Sequence, residues 1–174
     1  MGFVIEQLTP ATFVDHEDDL IDILVDCVHD GASVGFLAPL GRDEARADWH
    51  GVRAALADGS RILLVARPAG QGAVGTVQLD LAMRANGLHR AEVMRLLVHT
   101  KARRRGLGRR LMQEIEACAR ARRRTTLILD TRDGDASEIL YRSLGWILTG
   151  VVPKFAKSSN GALDGSAFYY KLLS

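Results

Sequence analysis

The sequence predicts a fold of the α/β class. Its sheet should be mixed, as in α+β proteins, and flanked by helices. Apolar residues repeat with strand and helix periods in the order β-α-α-β-β-β-α-β-α-β-β. The segments 61–67 and 74–83 are joined by a turn containing Pro and Gly, which is typical of an antiparallel hairpin. The segments 91–99 and 126–131 enclose one helix, and a strand-helix-strand crossover makes its two strands parallel. The sheet should therefore contain both kinds of pairing.

The remaining elements follow from local signals. Thr9-Pro10 is a helix-start signal, and apolar residues recur at helical spacing from there to about Asp30. The segment 31–41 is rich in small residues, Gly and Pro, and predicts a loop. The predicted strands are 3–8, 61–67, 74–83, 91–99, 126–131, 146–152 and 166–173, and the predicted helices are 10–30, 42–57, 106–122 and 137–145.

Length and composition limit the kind of protein. A chain of 174 residues can bury one sizeable core, so we expect a single domain over 1–174. The chain is 47% hydrophobic and 25% charged, but no apolar run reaches the length of a membrane span and no secretory signal begins it. Cys27 and Cys118 lie in predicted helices and should be small buried residues, not a disulfide or a metal pair. We expect a cytoplasmic protein.

The basic residues form two clusters, although the net charge is only +2. One cluster surrounds a glycine-rich turn, Arg103-Arg104-Arg105-Gly106-Leu107-Gly108, between strand 91–99 and helix 106–122. The helix start offers unpaired N–H groups, the arginines can bind phosphate oxygens, and the glycines let a ligand approach the backbone. The other cluster, 120–124, should be a solvated helix end. Such local clusters favour an anionic ligand over a nucleic-acid surface, for which the chain is too poor in aromatic residues.

Two motifs resemble those of the GNAT superfamily of N-acetyltransferases. Arg103-x-x-Gly106-x-Gly108 resembles its R/Q-x-x-G-x-G/A signature, and the segment 140–146, LYRSLGW, resembles its LYxxLGF segment. The resemblance implies a sheet with splayed parallel strands, acetyl-CoA as cosubstrate, and direct transfer of acetyl to an amine in a ternary complex. By this resemblance the cofactor-binding residues are Leu96, Leu97, Val98, Arg103, Arg104, Arg105, Gly106, Leu107, Gly108 and Arg109. A backbone N–H near Val98 would polarise the thioester carbonyl.

The resemblance also gives Tyr141 the role of protonating the departing thiolate. A buried helix aromatic is the competing interpretation of Tyr141. One position departs from the superfamily pattern: many members carry Asn seven residues before the tyrosine, where this chain has Gly134. That leaves the more distant cofactor contacts open. No covalent intermediate is expected, because neither cysteine should lie at the cleft ends of the parallel strands.

Two carboxylates are candidates for activating the amine, which must lose a proton before it attacks. Asp130 ends strand 126–131, where the cleft should open, although a turn or cap role fits its position equally well. Glu92 should point to the same face as Met94 and Leu96 if its strand is regular. An edge charge paired with a neighbouring arginine is the alternative for Glu92. Which of the two is the base stays open.

A closer resemblance is to the tabtoxin-resistance acetyltransferases. It rests on the segments 31–36, GASVGF, 86–93, NGLHRAEV, and 129–131, LDT. It implies a small amine-bearing acceptor, amino-acid-like or a toxin or antibiotic, bound by Ser33, Phe36, Glu92, Asp130 and Thr131. The alternative for Ser33 and Phe36 is a flexible glycine loop.

Other functions are less well supported by the sequence. A non-catalytic domain that binds acyl-CoA as a sensor or partner-binding module is the main alternative to an enzyme. The histidines show no metal-ligand spacing, so no metal is expected. The pair Asp135 and Glu138 fits a helix cap. Neither nucleic acid nor membrane is an expected partner, and no particular residue specifies the homodimer that the last strands could form.

Overall fold

The computed structural model describes residues 2–173, and its elements follow the predicted order. Short 3₁₀ turns at Thr12–His16, Ala85–Gly87 and Thr100–Ala102 connect some of them. The strands are β1 Phe3–Gln7, β2 Arg61–Pro68, β3 Gly75–Leu81, β4 Arg90–Val98, β5 Thr126–Arg132, β6 Ile147–Lys157 and β7 Leu163–Leu172. The helices are α1 Glu17–His29, α2 Arg42–Ala57, α3 Leu107–Ala121 and α4 Ser137–Ser143.

The strands of the described chain form one seven-stranded sheet in the order β1-β2-β3-β4-β5-β7-β6. The predicted hairpin is present, since β2 and β3 pair antiparallel from Arg61↔Asp80 to Ala66↔Gly75. The crossover through α3 makes β4 and β5 parallel, whereas the other pairs in residues 2–173 are antiparallel. The predicted mixed sheet flanked by helices is confirmed.

Helices cover both faces of the sheet and bury a core on each. The apolar stripe of α3, including Leu107, Leu111 and Ile115, packs on one face together with Tyr141 and Trp146. The other core is built by α1 and α2 and is lined by the residues Leu20, Ile21, Leu24, Cys27, Trp49 and Val52. The indole N–H of Trp49 donates to the carbonyl of Leu20 at 3.0 Å, which ties α2 to α1.

The last two strands are longer than predicted. The predicted strand 146–152 ends before Pro153, whereas β6 continues past this proline to Lys157. A proline cannot donate a ladder hydrogen bond, but β6 is the outer strand of the sheet, so that loss is tolerated. A register shift between Val152 and Ala156, with Lys154 at φ +52°, carries the strand past the proline. Apart from Ala156, which is half-buried, every residue of β6 is exposed.

The arginine cluster at the end of α3 was predicted to be solvated, and for Arg124 this is wrong. Arg120, Arg122 and Arg123 are exposed, whereas Arg124 keeps only 8% of its surface accessible. Its Nη1 donates to the carbonyl of Ala82 at 3.2 Å and to that of Leu88. A buried guanidinium is retained here because it satisfies the loop carbonyls before β4. In residues 2–173 we find no helix with the length and apolar character of a membrane span.

Candidate active site

A cleft opens where the two parallel strands separate. The ladder between β4 and β5 comprises only Arg90↔Thr126, Ala91↔Leu127 and Glu92↔Ile128. Past Glu92 the strands diverge, and two adjoining cavities of about 710 Å³ and about 420 Å³ fill the space. We call them the larger and the smaller cavity. Both are walled by Ala32, Leu96, Leu97, Arg132, Asp135 and Ser137.

A β-bulge in β4 shapes the wall of both cavities. Arg95 has φ +51°, and the register against β3 shifts between Thr76 and Gln78, so β4 has one extra residue there. The extra residue inverts the alternation of side chains. Before the bulge Val93 belongs to the core under α3, and after it Leu97 belongs to the core under α1 and α2.

The inversion corrects one sequence prediction. In a regular strand Glu92, Met94 and Leu96 would share a face. In the structure Leu96 packs against the α3 side, which is the side of Val93, so Glu92 and Leu96 point to opposite faces. A left-handed backbone at a non-glycine residue has no sequence signal, which is why the bulge could not be foreseen.

The bulge also leaves backbone groups of β4 facing the cleft. Leu97 pairs with Thr76 of β3, and the N–H of His99 donates to Val74 at 2.9 Å, so these residues face β3. Since backbone groups alternate between the edges of a strand, the N–H groups of Leu96 and Val98 face the cleft. The carbonyl of Val98 is already occupied, because it accepts from Nε of Arg103 at 3.0 Å.

The glycine-rich turn forms the far end of the larger cavity. Gly106 has φ +73°, a left-handed conformation that favours glycine, and α3 begins at the next residue. The first helical hydrogen bond of this end runs from Arg110 to Gly106 at 3.2 Å. The N–H groups of residues 107–109 therefore precede the helical ladder and are free for a ligand. A Cβ on Gly108 would lie 3.4 Å from Leu140 and 3.9 Å from Leu96, so this glycine brings the helix start close to the cavity wall.

Nine of the ten predicted cofactor-binding residues line the larger cavity, and Arg105 does not. Arg103 has other partners as well, because it also pairs with Asp30. The larger cavity therefore combines the free amides of the turn, the open edge of β4 and the side chains of Arg104 and Arg109.

Tyr141 lies on the smaller cavity and is only 7% exposed. Its ring packs between Trp146 and Tyr169, with centroid distances of 6.3 Å and 6.1 Å. The packing interpretation of Tyr141 therefore holds for the ring, and the residue also lines the smaller cavity. Burial, followed by the charge of Asp135, raises the pKa of Tyr141 well above its usual range, so the hydroxyl stays protonated.

Both candidate carboxylates line the smaller cavity. Burial is the main reason that the pKa of Glu92 is raised, and the negative charges of Asp130 and Asp80 add to it. Asp130 is exposed and accepts a hydrogen bond from Oγ of Ser166 at 2.6 Å. The two groups therefore differ, since Glu92 holds its proton more tightly than an exposed glutamate does.

The other predicted acceptor residues divide into two sets. Ser33 and Thr131 line the smaller cavity, and Thr131 Oγ1 lies 2.8 Å from Ser137 Oγ. Phe36 does not line either cavity. Its ring packs against the core under α1, with the guanidinium of Arg95 5.7 Å from the ring centroid. The sequence analysis missed Arg95 and Arg132, which both line the smaller cavity.

Cys27 corrects the argument against a covalent intermediate. Contrary to the prediction, Cys27 reaches the cleft end of β4, lining the larger cavity with Sγ 3.5 Å from the carbonyl of Val98. Burial raises the pKa of the Cys27 thiol to about 11, so a thiolate is scarce at neutral pH. Cys27 is therefore disfavoured as a nucleophile because its thiol stays protonated, and not because it lies far from the cleft. Cys27 and Cys118 are both free, as predicted.

The loop before α4 contains Gly134, the position at which many superfamily members carry asparagine. Gly134 has φ +80°, and its N–H donates to Oε1 of Glu138 at 2.7 Å. Asp135 accepts from the N–H of Ser137 at 2.8 Å, so Asp135 and Glu138 both bind backbone N–H groups next to the start of α4. The predicted cap is only partly right, because the N-cap residue is Ala136, which has no side-chain cap hydrogen bond. No group of three or more His, Cys, Asp or Glu side chains in residues 2–173 is arranged to hold a metal ion.

Comparison with known proteins identifies the family of the chain. The family model described as an acetyltransferase (GNAT) domain matches residues 58–148, more than half of the chain. The chain therefore belongs to the GNAT acetyltransferase family, whose acetyl donor is acetyl-CoA, as the two motifs predicted.

Solved structures show the same fold over almost the whole chain. A ribosomal-protein-alanine N-acetyltransferase from Brucella melitensis is 26% identical with a TM-score of 0.77, covering 98% of this chain and 99% of that one. A phosphinothricin acetyltransferase from Sinorhizobium meliloti, in complex with acetyl-CoA, is 19% identical with a TM-score of 0.81, covering 100% of this chain and 90% of that one. An N-acetyltransferase from Staphylococcus aureus is 17% identical with a TM-score of 0.81 and complete coverage of both chains.

Proposed function

We propose that the protein transfers the acetyl group of acetyl-CoA directly to the primary amine of a small molecule. One observation carries the proposal: the larger cavity, with its free amides, shares a wall with the smaller one, which Tyr141, Glu92 and Asp130 line. A donor on one side and an acceptor on the other can thus meet at the shared wall. Such an arrangement lowers the entropic cost of bringing two reactants together.

The residues of the larger cavity fit a coenzyme A thioester. The amides of residues 107–109 and the side chains of Arg104 and Arg109 would bind the diphosphate. The cleft-facing N–H groups of Leu96 and Val98 would bind the pantetheine arm and the thioester oxygen. Bound there, the donor supplies an acetyl group activated as a thioester.

The smaller cavity would carry out the two proton transfers. Glu92 or Asp130 would take a proton from the acceptor ammonium, directly or through water, which frees the nitrogen to bond to the acyl carbon. As the carbon-sulfur bond breaks, Tyr141 would give its proton to the thiolate. The raised pKa of Tyr141 supports the role of donor, because the hydroxyl is protonated across the physiological range.

The size of the smaller cavity, about 420 Å³, supports a small acceptor. The likeness of segments 31–36, 86–93 and 129–131 to tabtoxin-resistance acetyltransferases also supports a small amine. Of the residues this likeness implies for acceptor binding, Ser33, Glu92, Asp130 and Thr131 are on the cavity wall.

Release of coenzyme A, followed with a panel of amines, tests the proposal. The panel comprises amino acids, β-lactam-bearing dipeptide analogues, polyamines, aminoglycosides and peptide N-termini. We expect turnover with one class of small amine, and calorimetric binding of acetyl-CoA without any amine. Binding without turnover on the whole panel would instead favour the non-catalytic sensor, and absence of binding would refute both.

A homodimer through the last strands stays a prediction, now supported by the exposure of β6. Its backbone edge is open, and large apolar side chains are 42–53% exposed along it, namely Ile147, Leu148, Val151, Val152 and Phe155. Sedimentation analysis of the wild type and of Val151→Lys tests it. A dimer that the substitution dissociates is expected, and a monomeric wild type would refute it.

A further inference from the structure

The two guanidinium groups on the smaller cavity are each held by an aspartate. Arg95 binds Asp48 of α2 through two hydrogen bonds, one of them 2.9 Å between Nη2 and Oδ1. Both side chains are largely buried, at 16% and 23% exposure. Arg132 pairs with Asp164, with Nε and Oδ2 3.2 Å apart, although the N–H is not aligned for a hydrogen bond. Nη2 of Arg132 donates instead to the carbonyl of Gly31 at 2.8 Å. The positive charge of each arginine is thus paired with the negative charge of an aspartate.

Three other carboxylates of the same wall lack such partners. Glu92, Asp130 and Asp135 line the cavity, and their hydrogen-bond donors are neutral hydroxyl and amide groups where they have any. Of the cations that lower the pKa of Glu92, Arg61 pairs with Asp80 at 2.8 Å. The other, Arg90, is exposed and does not line the cavity. The cavity wall therefore carries unbalanced negative charge.

From these ion pairs we infer that Asp48 and Asp164 set the specificity of the acceptor site. By neutralising Arg95 and Arg132 they exclude amines that carry a carboxylate and favour a diamine. The inference rests on the proposed acetyl transfer and narrows its acceptor class. It excludes the amino-acid-like acceptors that the likeness to tabtoxin-resistance acetyltransferases implies. One amine of the diamine would be acetylated, and the second ammonium would bind the carboxylate that does not act as base.

The physical reason is the cost of an unpaired charge. An acceptor carboxylate in this cavity would lose water and meet Glu92 and Asp130 without a free cation to bind. A second ammonium loses the same water but gains a carboxylate partner. The discrimination should therefore depend on charge and not on size.

A matched pair of substrates tests the inference. Ornithine is 1,4-diaminobutane with a carboxylate on the carbon that carries one amine. The two substrates therefore differ only in the carboxylate that the cavity should exclude. We expect kcat/KM for the diamine to exceed that for ornithine at least about tenfold, as for one lost or gained charge contact. The ratio should shrink at high ionic strength. Equal values for the two substrates, or turnover of ornithine alone, would overturn the inference while leaving acetyl transfer standing.

The variant Asp48→Asn frees Arg95 without changing the size of the side chain. We expect the preference for the diamine over ornithine to fall by about tenfold or more, because the guanidinium can then bind the substrate carboxylate. Asp43→Asn is the control, since Asp43 is fully exposed on the same helix and pairs with Arg46 instead. A preference that stays at the wild-type value in a folded Asp48→Asn variant would refute the role of Asp48.

Calorimetry with acetyl-CoA on the same preparations distinguishes a failure of the specificity inference from a failure of the proposed function. A protein that binds acetyl-CoA and acetylates another class of amine, but not the diamine, would refute the specificity alone. A protein that does not bind acetyl-CoA would refute the proposed function as well.

Discussion

The hydroxyl of Tyr141 is the group whose removal separates catalysis from packing. Tyr141→Phe keeps the ring between Trp146 and Tyr169, at centroid distances of 6.3 Å and 6.1 Å, and so keeps its packing. The free energy of unfolding should therefore change by less than about 1 kcal/mol. Tyr141 does not line the larger cavity, so the affinity for acetyl-CoA should be unchanged. The main expected loss is therefore in turnover.

The size of the effect on turnover follows from the acidities involved. The pKa of Tyr141 lies above its usual value of about 10, whereas a thiol has a pKa of about 8.5. Tyr141 is thus a weak acid, and the thiolate is already a fair leaving group. We expect the low end of general acid catalysis, a loss of about 10²-fold in kcat, or about 2.7 kcal/mol in the activation barrier.

The assay follows thiol release under saturating acetyl-CoA and compares kcat with the wild type. Tyr170→Phe is the matched control, because Tyr170 lies on β7 outside both cavity walls. Thermal unfolding of each variant checks that the fold is retained. A Tyr141→Phe enzyme that turns over at the wild-type rate would remove Tyr141 from the mechanism and leave only its packing role.

Three further substitutions have expected outcomes. Gly106→Ala should weaken acetyl-CoA binding in calorimetry and lower the free energy of unfolding by about 1 kcal/mol, because φ at this residue is +73°. Gly41→Ala is the control and should not affect binding, because φ at Gly41 is −80°. The raised pKa of Glu92 predicts that kcat/KM falls as the pH drops through that value, and Glu92→Gln should abolish this acidic limb; a limb that persists would assign the base to the other carboxylate. Arg124→Ala should cost about 1–3 kcal/mol in urea unfolding, because a buried side chain is lost and two loop carbonyls lose their donor. The exposed Arg122→Ala should cost less than about 0.5 kcal/mol, and equal losses would contradict this account.

The sequence predicted well those features that depend on local pattern. Helix α2 begins and ends where predicted, because its apolar positions recur at helical spacing and Asp58-Gly59 ends it. The glycine-rich turn was also predicted from local sequence. Glycine is favoured at position 106 because the backbone there has a left-handed conformation that other residues avoid. The parallel pairing of β4 and β5 followed from the handed crossover between them.

Features that depend on distant residues could not be predicted in this way. The ion pair between Asp48 and Arg95 joins positions 47 residues apart, and nothing in either segment marks the other. Arg124 was expected in water because its neighbours are, yet a loop carbonyl 36 residues away holds it inside. The bulge at Arg95 inverts half a strand through one backbone angle that the residue type does not reveal.

The two cavities differ in what they are made of, and that difference bears on how such an enzyme can diversify. The glycine turn and the edge of β4 present main-chain amides, which almost any point mutation leaves in place. The smaller cavity is defined mainly by side chains from the 31–35 loop, from β4, from the ends of β5, β6 and β7, and from α4 with the loop before it. A single substitution there can change the shape or charge of the proposed acceptor site and leave the main-chain amides of the larger cavity in place. Under the proposed division of roles, acceptor preference can therefore evolve separately from the binding of the acetyl donor.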